Sequence, residues 1–260
     1  GAAFSAGGKG ANQAVQAAKL KTPTYMVGCV GTDASADFLV NTAKEYGVNV
    51  DYIRKVPGSS GMGVINAVED GSVYARADVG IAMGGLGSDA AIEAADVVLM
   101  TDEPSKLVDA IDVAKEAGCI VVLNAAPAIE LPEECLSKVD ILVVNEVEAE
   151  FYCHEKIDSV EKAKTEIKKM AEKYNNNVIF TLGKDGAVAY ENGTIEFIPA
   201  MKVDAIETTG AGDSYIGAVS HSIIEGKSLI EACKFATKCS AITVCRMGAQ
   251  PSMPTLEDVE

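Results

Sequence analysis

Five apolar runs of strand length, at 25–30, 96–100, 119–123, 140–144 and 178–182, recur between amphipathic segments of helix length. A run that is apolar at nearly every position has no face to leave in water, so as a strand it must be covered on both sides. The segments between and after these runs, at 34–46, 105–117, 159–174, 211–225 and 228–246, carry the helical period, the last with Ser228 as an N-cap. Strand and helix in alternation predict a parallel sheet with helices on its faces. In 159–174, Lys162, Lys164, Lys168 and Lys169 with Glu161 and Glu166 form one wet helix face.

Two regions break the alternation. Residues 52–74 hold shorter alternating runs joined at "EDGS" (69–72), whose Asp-Gly pair signals a hairpin that would project from the core as a lid. Residues 187–190 and 194–198 flank "ENG" and predict a second hairpin, adding antiparallel edge strands. The 260 residues read as a single α/β domain, 1–260, with 50–74 as its β lid element. The sequence opens on a glycine-rich helix start without the strand that normally precedes such a turn, which predicts residues ahead of Gly1.

A formal charge of −16 opposes binding to nucleic acid or to anionic membranes, whose recognition needs clustered Lys and Arg. Any anionic ligand must be held locally, by backbone amides, a few cations or a metal ion. Seven cysteines form no CxxC pair and several lie in apolar runs, the pattern of reduced thiols in a cytoplasmic protein. His154 and His221 stand far apart in sequence, which gives no support to a His-rich metal site or a Ser/His/Asp triad. No run reaches the roughly 18 apolar residues of a membrane span.

Three glycine-rich helix starts compete for an anion. "AGGKGANQAV" (6–15) groups Gly7, Gly8 and Gly10 around Lys9, with Asn12 and Gln13 opening an Ala-rich helix. "MGGLGSDAA" (83–91) ends in N-cap residues and holds no cation. "TTGAGDSYIGA" (208–218) places Asp213 directly after Gly210, Ala211 and Gly212. Free amides at a helix start attract an anion, yet an acid beside one repels it, so Asp213 either caps its helix or performs chemistry. "VVNEVEAE" (143–150) and "TLGKDG" (181–186) follow strands, at the carboxyl ends where open α/β sheets bind ligands; ordinary turns and helix starts would look the same.

Taken in order, these segments resemble the ribokinase family of sugar and nucleoside kinases. "GGKGANQAV" is similar to that family's first signature and "TTGAGDSYIGA" to its second, while the tail "RMGAQPSMP" (246–254) resembles the ending characteristic of the ribokinases within it. The resemblance spans 1–74 and 119–260, and implies a three-layer αβα, Rossmann-like ribokinase fold with a mostly parallel sheet and a small β lid. It further implies an anion hole from Gly210 through Ala211 to Gly212, with Asp213 as the base that takes the sugar hydroxyl's proton. Gly8, Lys9, Gly10, Asn12 and Glu103 would grip the sugar; Asn145, Thr181, Gly183, Gly186 and Gly212 would line the ATP site, with Thr237 near the adenine. Mg2+ would arrive with ATP, and a monovalent cation, K+, would be held by Glu207, Thr209, Thr243, Arg246, Gly248 and Ser252. Family members pair through their lids, which implies a homodimer. The family usually has Asp where this chain has Glu207, and carries a first strand with a sugar-binding acid upstream of the position of Gly7.

Residues 75–111 resemble instead a segment of the cytosolic phosphorylation domain of heavy-metal P-type ATPases, an atypical or grafted insert between two kinase-like stretches. The resemblance as a whole implies ATP-dependent phosphorylation of a pentose, D-ribose first, with deoxyribose or a nucleoside as other acceptors. A kinase-shaped binding or scaffold protein without catalysis is the alternative from another class, and a haloacid-dehalogenase-like phosphatase a remote one.

Overall fold

The computed structural model describes residues 5–60, 64–67, 73–76, 81–83, 97–99 and 105–260. Its main sheet holds five strands in the order β11-β10-β9-β8-β7: β7 (Val122–Asn124), β8 (Ile141–Asn145), β9 (Asn177–Thr181), β10 (Gly186–Glu191) and β11 (Thr194–Pro199). β7, β8 and β9 run parallel, while β10 and β11 are antiparallel additions at one edge. The turn between those two places Asn192 and Gly193 at φ 47° and 91°. Two consecutive positive φ values fit the right-handed twist of a tight hairpin, which is why an Asn-Gly pair stands there.

Strand residues alternate between two cores, and that alternation makes three layers. Leu142, Val144, Val178, Phe180 and Val188 face one cluster with Leu136, Ile167, Met170 and Tyr174. These come from α4 (Glu133–Lys138) and α6 (Val160–Tyr174), with α3 (Ser105–Glu116) adding Val108 and Ile111. Ile141, Val143, Ile179, Ala187 and Ala189 face the opposite cluster, with Ile216, Val219, Ala232, Ala236 and Cys239 of α7 (Ala211–Ile224) and α8 (Leu229–Val244). The three-layer αβα expectation holds, and the both-faces-covered reading of the apolar runs is its cause.

α1 (Lys9–Lys19), β1 (Tyr25–Val30), α2 (Ala34–Glu45) and β2 (Asn49–Lys55) form the N-terminal part, with β1 and β2 parallel. β3 (Val64–Ala67) pairs antiparallel with β4 (Val73–Arg76), and β5 (Ile81–Met83) pairs parallel with β6 (Val97–Leu99). The pairing of β3 with β4 brackets the expected "EDGS" turn, which itself lies outside the described residues. The expected hairpin region at 52–74 starts too early, because 52–55 belong to parallel strand β2. The expected strand at 119–123 begins later, at Val122. The amide of Cys119 instead bonds the carbonyl of Ala114 and Gly118 takes φ 76°, so the first apolar residues of that run close α3. "MGGLGSDAA" falls almost entirely outside the described residues.

Candidate active site

α1 and α7 both begin at glycines with left-handed or extended positive-φ backbone, Gly8 at φ 98° and Gly210 at φ 79°, and neither has a side-chain cap. Their opening amides are therefore available to a ligand. In α7 the amide of Ala211 reaches the carbonyl of Thr208, and that of Ser214 closes the first helical bond to Gly210. Helix geometry leaves the amides of Gly212 and Asp213 without an intrahelical acceptor. Gly212 is exposed, and a side chain built on it would meet nothing within 4 Å. The first turn of α7 is thus open at Gly212.

The two helices are pressed together at Gly217. A Cβ there would come within 2.7 Å of the carbonyl oxygen of Gln13 and of Cβ of Gln16. This approach lays the first turns of α1 and α7 side by side. Asn12 donates through Nδ2 to Oδ2 of Asp213 at 2.8 Å, and Gln13 donates through Nε2 to Oδ1 at 3.3 Å. The residues joined are about two hundred positions apart in sequence. Burial pushes the Asp213 carboxyl above its ordinary pKa; the Asn12 and Gln13 amides and the charge of Lys9 pull the other way. Asn12 is buried, and its Oδ1 has no partner among the described residues. A buried acceptor left open beside a carboxylate fits a hydroxyl donor between them.

One turn deeper, Ser214 donates to Oε1 of Gln16 at 2.7 Å, and Gln16 Nε2 donates to the carbonyl of Pro254 at 3.0 Å. Thr243 Oγ1 lies 2.9 Å from both Ser214 Oγ and the carbonyl of Cys239, with one proton for the two. Gln16, Ser214 and Thr243 are fully buried. The sequence singled out Asn12 and Asp213 but gave no role to Gln13, Gln16 or Ser214. The readable signal was Asn12 and Gln16 at i and i+4 among alanines and Val15, a polar pair on the buried side of a helix.

At the carboxyl edge of the sheet, Asn145 and Thr181 stand opposite one another in the parallel register of β8 and β9. Asn145 caps α5 (Glu146–Cys153) in a reciprocal box with Glu148: its amide bonds Glu148 Oε2 at 2.8 Å, and its Oδ1 accepts from the Glu148 amide at 3.0 Å. Burial raises the pKa of Glu148, and the charge of Lys9 acts on this carboxylate as well as on Asp213. Lys9 therefore acts electrostatically on both groups of site residues. Gly183 and Gly186 bound the turn after Thr181, where the Leu182 amide bonds the carbonyl of Gly186 at 2.8 Å. A Cβ on Gly186, at φ 118°, would come 2.1 Å from the carbonyl of Ile198, so this turn requires glycine.

The loops expected to hold a monovalent cation also converge. The amides of Ile206 and Glu207 bond the carbonyl of Val244 at 2.7 and 3.1 Å, and the Gly248 amide donates to Glu207 Oε2 at 2.8 Å. Gly210 lies against Ala249, where a Cβ would stand 3.3 Å from its Cα. Ser252 is buried and bonds the Ala249 carbonyl at 2.6 Å, and Gln250 Oε1 is buried without a partner among the described residues. Thr209 is half-buried in the same segment. The Arg246 guanidinium is engaged in a two-pronged pair with Asp258 at 3.1 Å on each side and its amide bonds the Thr243 carbonyl, which leaves its own carbonyl for such a role. Thr237 is buried in α8 with its hydroxyl on the carbonyl of Cys233 at 2.9 Å. Its neighbours Lys238, Ala241 and Ile242, with Met201 and Val203, line an open and largely apolar cavity of about 490 Å3. Glu103 lies outside the described residues.

Residues 2–256 match the model of the pfkB family carbohydrate kinases. A Staphylococcus aureus ribokinase is 36% identical over 262 residues, covering 97% of this chain and 86% of that protein. A Salmonella typhi deoxyribokinase is 34% identical over 260 residues, covering 96% and 85%. Among solved structures, Arabidopsis thaliana ribokinase complexed with ribose and ATP superposes with a TM-score of 0.80 at 29% identity, covering 97% of this chain and 86% of that one. The family match includes 75–111, so the resemblance of that stretch to a P-type ATPase segment is not borne out. With its two helix starts, its sheet-edge turn and a match along nearly its whole length, the chain belongs to the pfkB family of carbohydrate kinases.

Proposed function

We propose that this chain transfers the γ-phosphoryl group of ATP to the primary hydroxyl of D-ribose, giving ribose 5-phosphate and ADP. The observation that carries the reading is the Asp213 carboxylate, held by Asn12 and Gln13 at the open first turn of α7. The acceptor hydroxyl lies beside Asn12 and Asp213, where the unpaired Asn12 Oδ1 accepts a hydrogen bond from a neighbouring sugar hydroxyl. Asp213 accepts the attacking hydroxyl's proton as the new O–P bond forms and the bond from Pγ to the bridging oxygen breaks. The unpaired amides of Gly212 and Asp213 face the three equatorial oxygens, and the helix dipole offsets part of the charge that builds there. Lys9, Gly8 and Gly10 hold the sugar; Asn145, Thr181, Gly183 and Gly186 hold the nucleotide at the sheet edge. By the family resemblance, Glu103, outside the described residues, would contact the sugar and Thr237 the nucleoside.

Magnesium arriving with the nucleotide would supply charge neutralisation. Potassium fits the neighbouring loops: Glu207 keeps one carboxylate oxygen free of the Gly248 amide, and the same stretch buries an unpaired Gln250 carbonyl. The Arabidopsis and Staphylococcus relatives support ribose as acceptor, and the Salmonella one makes 2-deoxyribose the competitor to test. The test is ADP formation with ribose, 2-deoxyribose and a nucleoside, compared as kcat/KM, with the product read by phosphorus NMR. Highest kcat/KM on ribose, with the phosphate on the primary carbon, is expected. Preference for another acceptor overturns the ribose assignment, and no acceptor-dependent ADP overturns the kinase reading.

A further inference from the structure

Resting on that kinase reading, we infer that Gln13 is the positioning residue for Asp213, holding Oδ1 so that Oδ2 is the oxygen presented to the acceptor hydroxyl. A carboxylate has two equivalent oxygens and rotates about its Cβ–Cγ bond unless something distinguishes them. Here the two are distinguished by different helix positions: Oδ2 receives the Asn12 amide at 2.8 Å and Oδ1 the Gln13 amide at 3.3 Å. Asn12 has its own oxygen buried and open, so it is the member of the pair that reorganises when a polyol enters. Gln13 is only partly buried and is left as the grip on the carboxylate throughout.

The grip has a fixed foundation. The backbone of Gln13 is pressed against Gly217, and Gln16, one turn on, is locked to Ser214, the residue after Asp213. α1 therefore cannot slide along α7, and the Gln13 side chain arrives at Oδ1 from one direction. The charged group acting on Asp213 from α1 is Lys9. Donation by Gln13 favours the ionised carboxylate and so works with Lys9, and against burial, to keep the base charged.

Gln13→Ala and Gln13→Glu test this in the full chain. The carboxyl carbon of Asp213 is titrated by 13C NMR, and kcat/KM for ribose is measured against pH. Loss of the amide in Gln13→Ala should raise the Asp213 midpoint by on the order of one pH unit, the acidic limb of kcat/KM following it. Gln13→Glu keeps the shape and volume but sets a second carboxylate against Oδ1, so it should raise the upper midpoint of the pair further. KM for ATP should stay near that of the unmodified chain. A midpoint unmoved in Gln13→Ala, or Gln13→Glu behaving like the unmodified chain, overturns the inference and leaves Gln13 as helix packing alone. Should the unmodified chain form no sugar-dependent ADP, the kinase reading falls, and the NMR midpoints still decide whether Gln13 sets Asp213.

Discussion

A base that works beside a phosphoryl group must stay charged in a place that disfavours charge. For Asp213 the disfavouring effect is burial, and it is the larger one; the Asn12 and Gln13 amides and Lys9 recover part of it. The carboxyl's pKa therefore lies above its ordinary value, and because only the ionised form accepts a proton, activity is lost as pH falls through that raised value. The acidic limb of kcat/KM for ribose should lie clearly above the usual aspartate value of about 4; a limb at or below it would contradict this account. Asp213 and Asn12 were legible in the sequence because each directly follows a glycine-rich helix start, a local signal. Gln13 and Gln16 were not, since their partners lie on a helix some two hundred residues away and only the packing of α1 on α7 brings them together. The Thr237 hydroxyl bonds the Cys233 carbonyl one turn back in its own helix, a side-chain choice that a single threonine in an apolar helix does not announce.

Between elements, the site is only as well placed as the contact of α1 with α7. Gly217 sets that distance, because any Cβ meets the Gln13 carbonyl and the Gln16 side chain at 2.7 Å. Gly217→Ala should destabilise the chain by about 1–3 kcal/mol through overpacking, read as a lower urea midpoint with an unchanged slope, and should also lower kcat by lifting Asn12 and Gln13 from Asp213. A variant with unaltered stability and turnover would show that the spacing is not critical. The sheet was legible for the same reason that it is stable: strands covered on both faces read as unbroken apolar runs, and β8 and β9 are buried along nearly their whole length. Boundaries were less legible where a helix cap took residues from a strand, as Gly118 and Cys119 do at the end of α3. β2 was misplaced because its burial is mixed and its alternating pattern resembles a hairpin arm more than a parallel strand.

Across the whole molecule, a chain with a net charge of −16 handles a polyanionic substrate by placing its few favourable groups with care. In the proposed site this falls to the first-turn amides of Gly212 and Asp213, to Lys9 and to the loops around Glu207 and Gly248, which come from both ends of the sequence. The fold supplies that meeting: α1 and α7 share one layer, while Asn145 and Thr181 end adjacent strands at the edge of the sheet. The reading depends on Asp213 as the proton acceptor at that meeting point, and Asp213→Asn tests it most directly because the amide keeps the shape and removes the base. With ribose, magnesium and potassium present, turnover should fall on the order of 10²-fold or more, while nucleotide affinity measured by calorimetry changes far less. Turnover in Asp213→Asn within about tenfold of the unmodified chain would contradict the assignment of this carboxylate as the base.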